Sequence, residues 1–317
     1  TLSSFWNCYI YSYTSSSFKL FSKKQIEKQK IDFIRLGIFG DWDNSYSSMD
    51  KDVEAGIVGS LSQIIKNNHI YFGSKPVHWC IESSSALAEA EVEYKNATSK
   101  AVCVNFEITN LDKSIFKGLK NDLKVNIPIW TTTPWTLPAN RAVAIGGDIE
   151  YSLVYIGKSY LIVAKNLVDS VMEKSEIKKY SIEGSIDITA LSSLELKHPF
   201  YNITVPVITA NHVTDENGTG AVHIAPGHGT DDYLAGLKYN LEVYNPVDDY
   251  GKFIDELPIF GGMKIRESND EIINILKEKN RLLFSENYEH SYPHCWRYKT
   301  PLIFRATPQW FMSMDQS

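Results

Sequence analysis

The stretch Lys124–Val163, KVNIPIWTTTPWTLPANRAVAIGGDIEYSLVYIGKSYLIV, decides how this chain is read. It holds short apolar runs at Lys124–Trp130, Ala142–Ile145, Tyr151–Ile156 and Tyr160–Val163. Gly, Pro and Asn punctuate them, which is the pattern of successive short strands. Further runs of the same kind lie at Ala101–Ile108, Val205–Thr209 and Ala221–Ile224. Only two helices are expected among them. One spans Asp231–Tyr239, capped by Thr230, and the other Glu267–Lys279, capped near Arg266–Ser268. Strands in irregular order with few helices exclude a repeating βαβ unit. The fold class read here is α+β, with a barrel-like mixed β domain.

Outward from this stretch the text changes. Ser22–Arg35 is basic and helix-like, and Gly37 is a helix stop. Asp50–Asn68 carries Val53, Ile57, Leu61, Ile64 and Ile65 at helical spacing, so it reads as an amphipathic helix. Ser85–Tyr94, SALAEAEVEY, opens as a helix-like stretch. Residues 1–21 hold six Ser and seven aromatic residues without a clean period. They read as a stretch out of its context, with a short edge strand as the alternative. His290–Ser317 is dense in aromatic and basic residues. The boundaries that follow are 1–95, 96–289 and 290–317, with the middle inserted into a body formed by the other two. The first residue is Thr1, and both ends read as cut.

Composition narrows the classes. The chain has 317 residues, of which 43% are hydrophobic and 22% charged, an ordinary globular composition. Such a length suggests about two domains. With 32 basic and 38 acidic residues the net charge is −6, which does not suit bulk DNA binding. No apolar run approaches the roughly 18–20 residues of a membrane span. Four scattered cysteines, Cys8, Cys80, Cys103 and Cys295, suit reduced thiols and a cytoplasmic protein better than a disulfide scaffold.

Three constellations could carry chemistry. Trp130–Asn140, WTTTPWTLPAN, is a rigid, hydroxyl-rich turn able to bind ribose hydroxyls or orient a water. From composition alone a plain Thr-rich strand end with turn prolines is the favoured reading. Gly218–Tyr233, GTGAVHIAPGHGTDDY, sets His223 and His228 beside Asp231 and Asp232. Gly218 and Gly220 allow a tight turn and close approach of a ligand. The carboxylates could serve the helix dipole or receive a substrate ammonium. Their spacing from the histidines fits no metal template. The third pair, Trp79–Ser83 and His294–Tyr298, looks like two halves of a Cys-x-x-Cys knuckle. Ser83 and Tyr298 occupy the second positions, and a tetrahedral zinc site needs about four ligands. No metal is therefore expected.

These peptides carry a resemblance. WTTTPWTLPANRAVAI, GTGAVHIAPGHGTDDYLAGLKYNLEVYNPV and SYPHCWRYKTPLIFRATPQWF together resemble the bacterial-type isoleucyl-tRNA synthetases, and KPVHWC, SALAEAEVEY and DFIRLGIFGDW fit the same family. The likeness runs from about Ser22 to Gln316. His223 within AVHIAPGHG favours the isoleucyl enzymes over their valyl and leucyl relatives. The family's HIGH and KMSKS motifs are absent, and residues 1–21 do not match.

The resemblance implies a fragment of a class I enzyme, with its inserted editing domain flanked by partial helical and α/β pieces of a Rossmann-type catalytic body. The intact enzyme attaches isoleucine to tRNA(Ile) with ATP and Mg. This piece is expected to hydrolyse mischarged valyl-tRNA(Ile), an aminoacyl-tRNA deacylase needing no cofactor. Carried over, Asp232 receives the α-ammonium of the mis-attached valine. Thr131, Thr132 and Thr133, with Thr136 and Asn140, surround the terminal adenosine and the ester. Thr132, Thr133 and Asp232 are the catalytic group, acting mainly by positioning. His223 lies against the aminoacyl group and rejects the larger isoleucine side chain. The vicinal ribose hydroxyl takes the part of the base. The partner is tRNA(Ile), through its aminoacylated 3′ end, with Lys23–Lys30 and Arg297–Arg305 as candidate phosphate contacts. A second reading stays open: an inactive tRNA-binding or structural remnant of a truncated gene.

Overall fold

The computed structural model describes residues 2–111, 119 and 123–315, with side chains from Ser16 onward. In chain order, α1 (Leu2–Arg35) and α2 (Lys51–Lys66) lead into β1 (Ile70–Cys80) and β2 (Ser85–Leu87). A 3-10 turn at Glu89–Glu91 precedes β3 (Val92–Ile108) and β4 (Val125–Thr131), and a second 3-10 helix spans Pro134–Ala139. Then come β5 (Ala142–Ile145), β6 (Tyr151–Tyr155), β7 (Tyr160–Ala164), α3 (Val168–Lys174), β8 (Ser181–Ile186), α4 (Ile188–Leu191) and β9 (Glu195–Lys197). The chain closes with β10 (Thr204–Thr209), β11 (Ala221–Ile224), α5 (Thr230–Lys238), α6 (Ile265–Glu278), β12 (Leu282–Cys295) and β13 (Ile303–Met312).

Two compact units emerge, Thr1–Tyr71 with Trp310–Ser317, and Phe72–Gln309. In the first, α1 ends where Gly37 takes φ +76, as a helix-stopping glycine does. The helix also takes in residues 2–21, where an irregular stretch or an edge strand was expected. Extending a formed helix costs less than nucleating a new element, so the regular Ser22–Arg35 half carries it onward. In α2 the helical spacing is as expected, with Asp50 at the N-cap.

The second unit is built on β3. One edge of this strand pairs antiparallel with β12, from Val92 opposite Cys295 to Val104 opposite Leu282, and then with β9 at Glu107 and Ile108. Its other edge pairs with β4, from Val102 opposite Thr131 to Glu107 opposite Asn126. From β4 the sheet continues through a parallel partner, β7, to β6 and β8. On the β9 side, β10 pairs antiparallel through Thr204–Pro206 and parallel with β5 through Val207–Thr209, and β11 lies beyond β5. The α+β reading holds. Among the described residues the strand path of this sheet is open, ending at β11 and β8. A smaller sheet has the order β13–β1–β2.

Val102, Val104, Phe106, Ile127, Ile129, Leu161 and Leu196 form the centre of one core. α6 closes it with Ile265, Ile272, Ile273 and Leu276. Burying each such side chain contributes about 1.5–3 kcal/mol.

Two local expectations are corrected. Ser85–Tyr94 forms β2, a 3-10 turn and the start of β3, because ladders with β1 and β12 override the helical preference of its Ala and Glu residues. The helix caps are Gly229 for α5 and Lys264 for α6, each ahead of the expected cap. Thr230 thereby becomes the first residue of its helix.

Candidate functional site

The Thr-rich peptide turns a strand end into a pocket wall. Thr131 is the last residue of β4, fixed by its pairing opposite Val102. Thr133 then donates its N–H to Thr131 Oγ1 at 3.2 Å, and Pro134 opens the 3-10 helix. Pro134 suits this place because its fixed φ matches a helix start and its missing N–H is not needed there. The turn carries Thr136 onto the facing strand β11, where its Oγ1 lies 2.9 Å from His223 Nε2. The same hydroxyl donates to the Thr133 carbonyl at 2.9 Å.

A hydroxyl has one proton and a carbonyl only accepts. Both bonds form at once only if Thr136 donates to Thr133 and His223 Nε2–H donates to Thr136. His223 Nδ1 is then a bare acceptor, and it is buried without a partner among the described residues. Burial, with the His228 charge adding to it, pulls His223 down to about 4, so the ring is neutral at physiological pH.

Asp232 sits in the first turn of α5. Its Oδ2 accepts the Ala225 N–H at 2.8 Å, which ties the helix start back to the end of β11. Burial pushes its carboxyl up to about 7, with the neighbouring Asp231 charge raising it and the Ala225 N–H opposing. His228 donates from Nδ1 to the Phe304 carbonyl at 2.9 Å, and its ring makes a T-shaped contact with Trp135, the centroids 5.1 Å apart. Its pKa is pulled down to about 4, chiefly by burial.

These groups surround one cavity of ≈ 330 Å³. Six of the seven anticipated residues line it: Thr131, Thr132, Thr133, Thr136, His223 and Asp232. Asn140 stands outside this lining, fully buried, where its amide donates to the Ala142 carbonyl at 2.7 Å and clamps the start of β5. The lining also includes His212, His228 and Gly229, which the sequence did not single out as substrate contacts. For His212 the position in the Asn211–Gly220 turn gave no signal. Thr132 and Thr133 also face a neighbouring groove with Arg266, Asn269 and Tyr292.

The glycines of the GTG turn serve packing. Gly220 has φ +79, and a Cβ there would fall 2.3 Å from Ala164 Cβ. At Gly218 it would meet Trp130 at 3.2 Å. The close approach anticipated for a ligand is made by the protein itself.

Cys80 and Cys295 share one small apolar cluster with Leu302. No group of three or more His, Cys, Asp or Glu among the described residues could hold a metal ion. Among the basic residues, Arg305 is committed internally, bonded to Asp249 at 2.5 Å and stacked 4.6 Å over Trp79. Lys299 is paired with Glu93 at 2.6 Å. Among the described residues no helix is long and apolar enough to cross a membrane.

The chain matches the model for tRNA synthetases class I (I, L, M and V) over residues 11–317, a span that takes in the second half of residues 1–21, where no match was expected. It is 50% identical over 304 residues to an isoleucine–tRNA ligase of Shewanella woodyi, covering 93% of this chain and 32% of that protein. It is 47% identical over 317 residues to the isoleucine–tRNA ligase of Pseudoalteromonas translucida, covering 96% and 34%. The chain thus spans about a third of the length of the curated relatives it matches. Among solved structures, the editing domain of the P. falciparum cytosolic leucyl-tRNA synthetase gives a TM-score of 0.45 at 13% identity, covering 61% of this chain and 100% of that one.

Proposed function

We infer the function of this chain from its family: it belongs to the class I tRNA synthetases of the I, L, M and V group. We propose that residues 96–289 carry an editing site that hydrolyses valyl-tRNA(Ile), within an enzyme that ligates isoleucine to tRNA(Ile). One methylene in an apolar pocket is worth only about 1–3 kcal/mol, a figure for which the isoleucine enzyme is itself the standing example. A second pocket that admits valine and excludes isoleucine supplies the missing discrimination.

The observation that carries this reading is the cavity itself. A single carboxyl group, a strip of threonine hydroxyls and neutral imidazoles line the same space. That set fits an α-ammonium at one end and an ester at the other. Asp232 receives the ammonium as a charge-assisted pair. Thr131–Thr133 and Thr136 hold the terminal ribose and the ester carbonyl, and Asn140 holds the strand start behind them in register. His223 bounds the space left for the amino-acid side chain.

Water then adds to the ester carbonyl and the bond to the ribose oxygen breaks. The leaving ribose oxygen takes up the proton given up by the water, relayed by the vicinal hydroxyl, which releases valine and intact tRNA. Thr132, Thr133 and Asp232 contribute by orientation, which can supply several kcal/mol without proton transfer.

ATP and Mg belong to the ligation reaction, whose HIGH and KMSKS peptides are not in this sequence. The cytoplasm is the place of action proposed for such an enzyme.

The test is release of valine from valyl-tRNA(Ile) by the purified chain in buffer without ATP. Catalysed release that falls in a Thr132→Ala, Thr133→Ala double variant supports the reading. A folded chain that binds tRNA(Ile) but releases nothing favours the inactive remnant.

A further inference from the structure

The turn that carries Asp232 is held from a distant part of the chain. Ala225–Asp232 is one short segment running from the end of β11 into α5. β13 grips it at two points. The Ala306 N–H donates to the Gly227 carbonyl at 2.7 Å, and the Phe304 carbonyl accepts from His228 Nδ1 at 2.9 Å. A carbonyl only accepts, so Nδ1 carries the ring's proton.

From the other side the Tyr244 carbonyl closes on Gly227, where a Cβ would lie 2.2 Å from it. Asn245 in turn donates to the Ala306 carbonyl at 2.9 Å. The turn is therefore clamped between β13 and the Tyr244–Asn245 segment. Its first residue, Ala225, supplies the N–H that orients Asp232. Phe304 and Ala306 lie outside residues 96–289.

We infer that strand β13 is a working part of the editing pocket, with His228 as the positioning residue that transmits its register to Asp232. The inference rests on the editing reading for its kinetic consequence, while its structural consequence stands apart from activity. Loss of the His228 bond lets the turn relax from β13 and opens Asp232 to water. The other titratable groups around Asp232 are Asp231, His212 and His223; His223 loses the His228 charge in either variant but stays neutral through its own burial, and Arg305 on β13 is held by Asp249.

Two substitutions at His228 separate the hydrogen bond from the ring. Asn places an N–H near the position of Nδ1 and loses the ring. Phe keeps a ring against Trp135 and loses the donor. In His228→Phe, kcat/KM for valyl-tRNA(Ile) should fall by about a hundredfold, the cost of a small misplacement. The acid limb of its pH–rate profile, set by ionisation of Asp232, should move to lower pH. His228→Asn should retain most of the rate and the wild-type limb.

The Asp232 carboxyl is also followed directly by 13C NMR titration without substrate. It should titrate near 7 in the wild type and in His228→Asn, and at least one pH unit lower in His228→Phe. The opposite order, with Phe tolerated and Asn not, assigns the effect to ring packing and overturns the inference. Equal titration in all three proteins overturns it too. A wild type without deacylase activity refutes the editing reading, and the NMR titration still decides whether β13 positions Asp232.

Discussion

Replacing Asp232 with Asn isolates the charge from the shape. Asn keeps an oxygen for the Ala225 N–H and removes the carboxylate. In the free protein burial holds this carboxyl near 7, so it is about half ionised at neutral pH. Only the ionised form pairs with an ammonium. Below pH 7, kcat/KM for valyl-tRNA(Ile) should therefore fall about tenfold per pH unit. Above it, the ester's own α-amine begins to lose its proton, near about 8 if it titrates like a free α-amino group. The wild-type profile is a bell with its rising limb set by Asp232.

A hydrogen bond to a charged group is worth about 1.5–3 kcal/mol, so Asp232→Asn should lower kcat/KM at the optimum by roughly 10- to 150-fold. The rising limb should vanish with it. Stability moves the other way. The folded protein holds a proton that the unfolded chain releases near 3.9, so stability declines as pH rises from about 4 to about 7 and is level above. A shift of roughly three units at about 1.4 kcal/mol each sets an upper bound of about 4 kcal/mol. At pH 8 Asp232→Asn should withstand more urea than the wild type. Initial deacylation rates between pH 5.5 and 9, with urea midpoints on the same samples, check both halves. A variant that keeps the rising limb, or loses stability at pH 8, would rule out Asp232 as the buried ammonium anchor.

Three other outcomes follow from the same geometry. Thr136→Val removes the acceptor of His223 Nε2–H and strands a buried donor, so urea unfolding should show a loss of about 1–3 kcal/mol alongside slower deacylation. Gly220→Ala drives a methyl group into Ala164 at a positive φ, and its thermal midpoint should fall by an amount equivalent to about 2–4 kcal/mol. Acid should unfold the second unit early. His198 is held near 3 and His223 and His228 near 4, all chiefly by burial. Their contribution is intact above about 6.5 and is lost as pH falls from there toward 4, so circular dichroism between pH 7 and 3.5 should show a cooperative transition in that window.

Much of the site was legible because its chemistry is contiguous. Four threonines on one turn and Asp232 at a helix start are local patterns, and they need only one strand pairing to meet. His228 was harder to read. Its role depends on the Phe304 carbonyl, 76 residues away in sequence. Asn140 shows the converse: it is close to the threonines in sequence, yet it serves the β5 start. The strands of the middle region were readable from short apolar runs. Ser85–Tyr94 was not, since Ala and Glu favour a helix and only long-range ladders decide otherwise. The partners of β3 were equally hidden, because register along its 17 residues is set by β12, met near the end of the chain.

A second sieve shows itself most directly in a pair of rates. Valyl-tRNA(Ile) and isoleucyl-tRNA(Ile) are each incubated with the purified chain without ATP, and loss of the labelled amino acid is followed. Valine should be released well above the spontaneous rate and isoleucine at close to it. Equal release of both amino acids, or faster release of isoleucine, would contradict a second sieve.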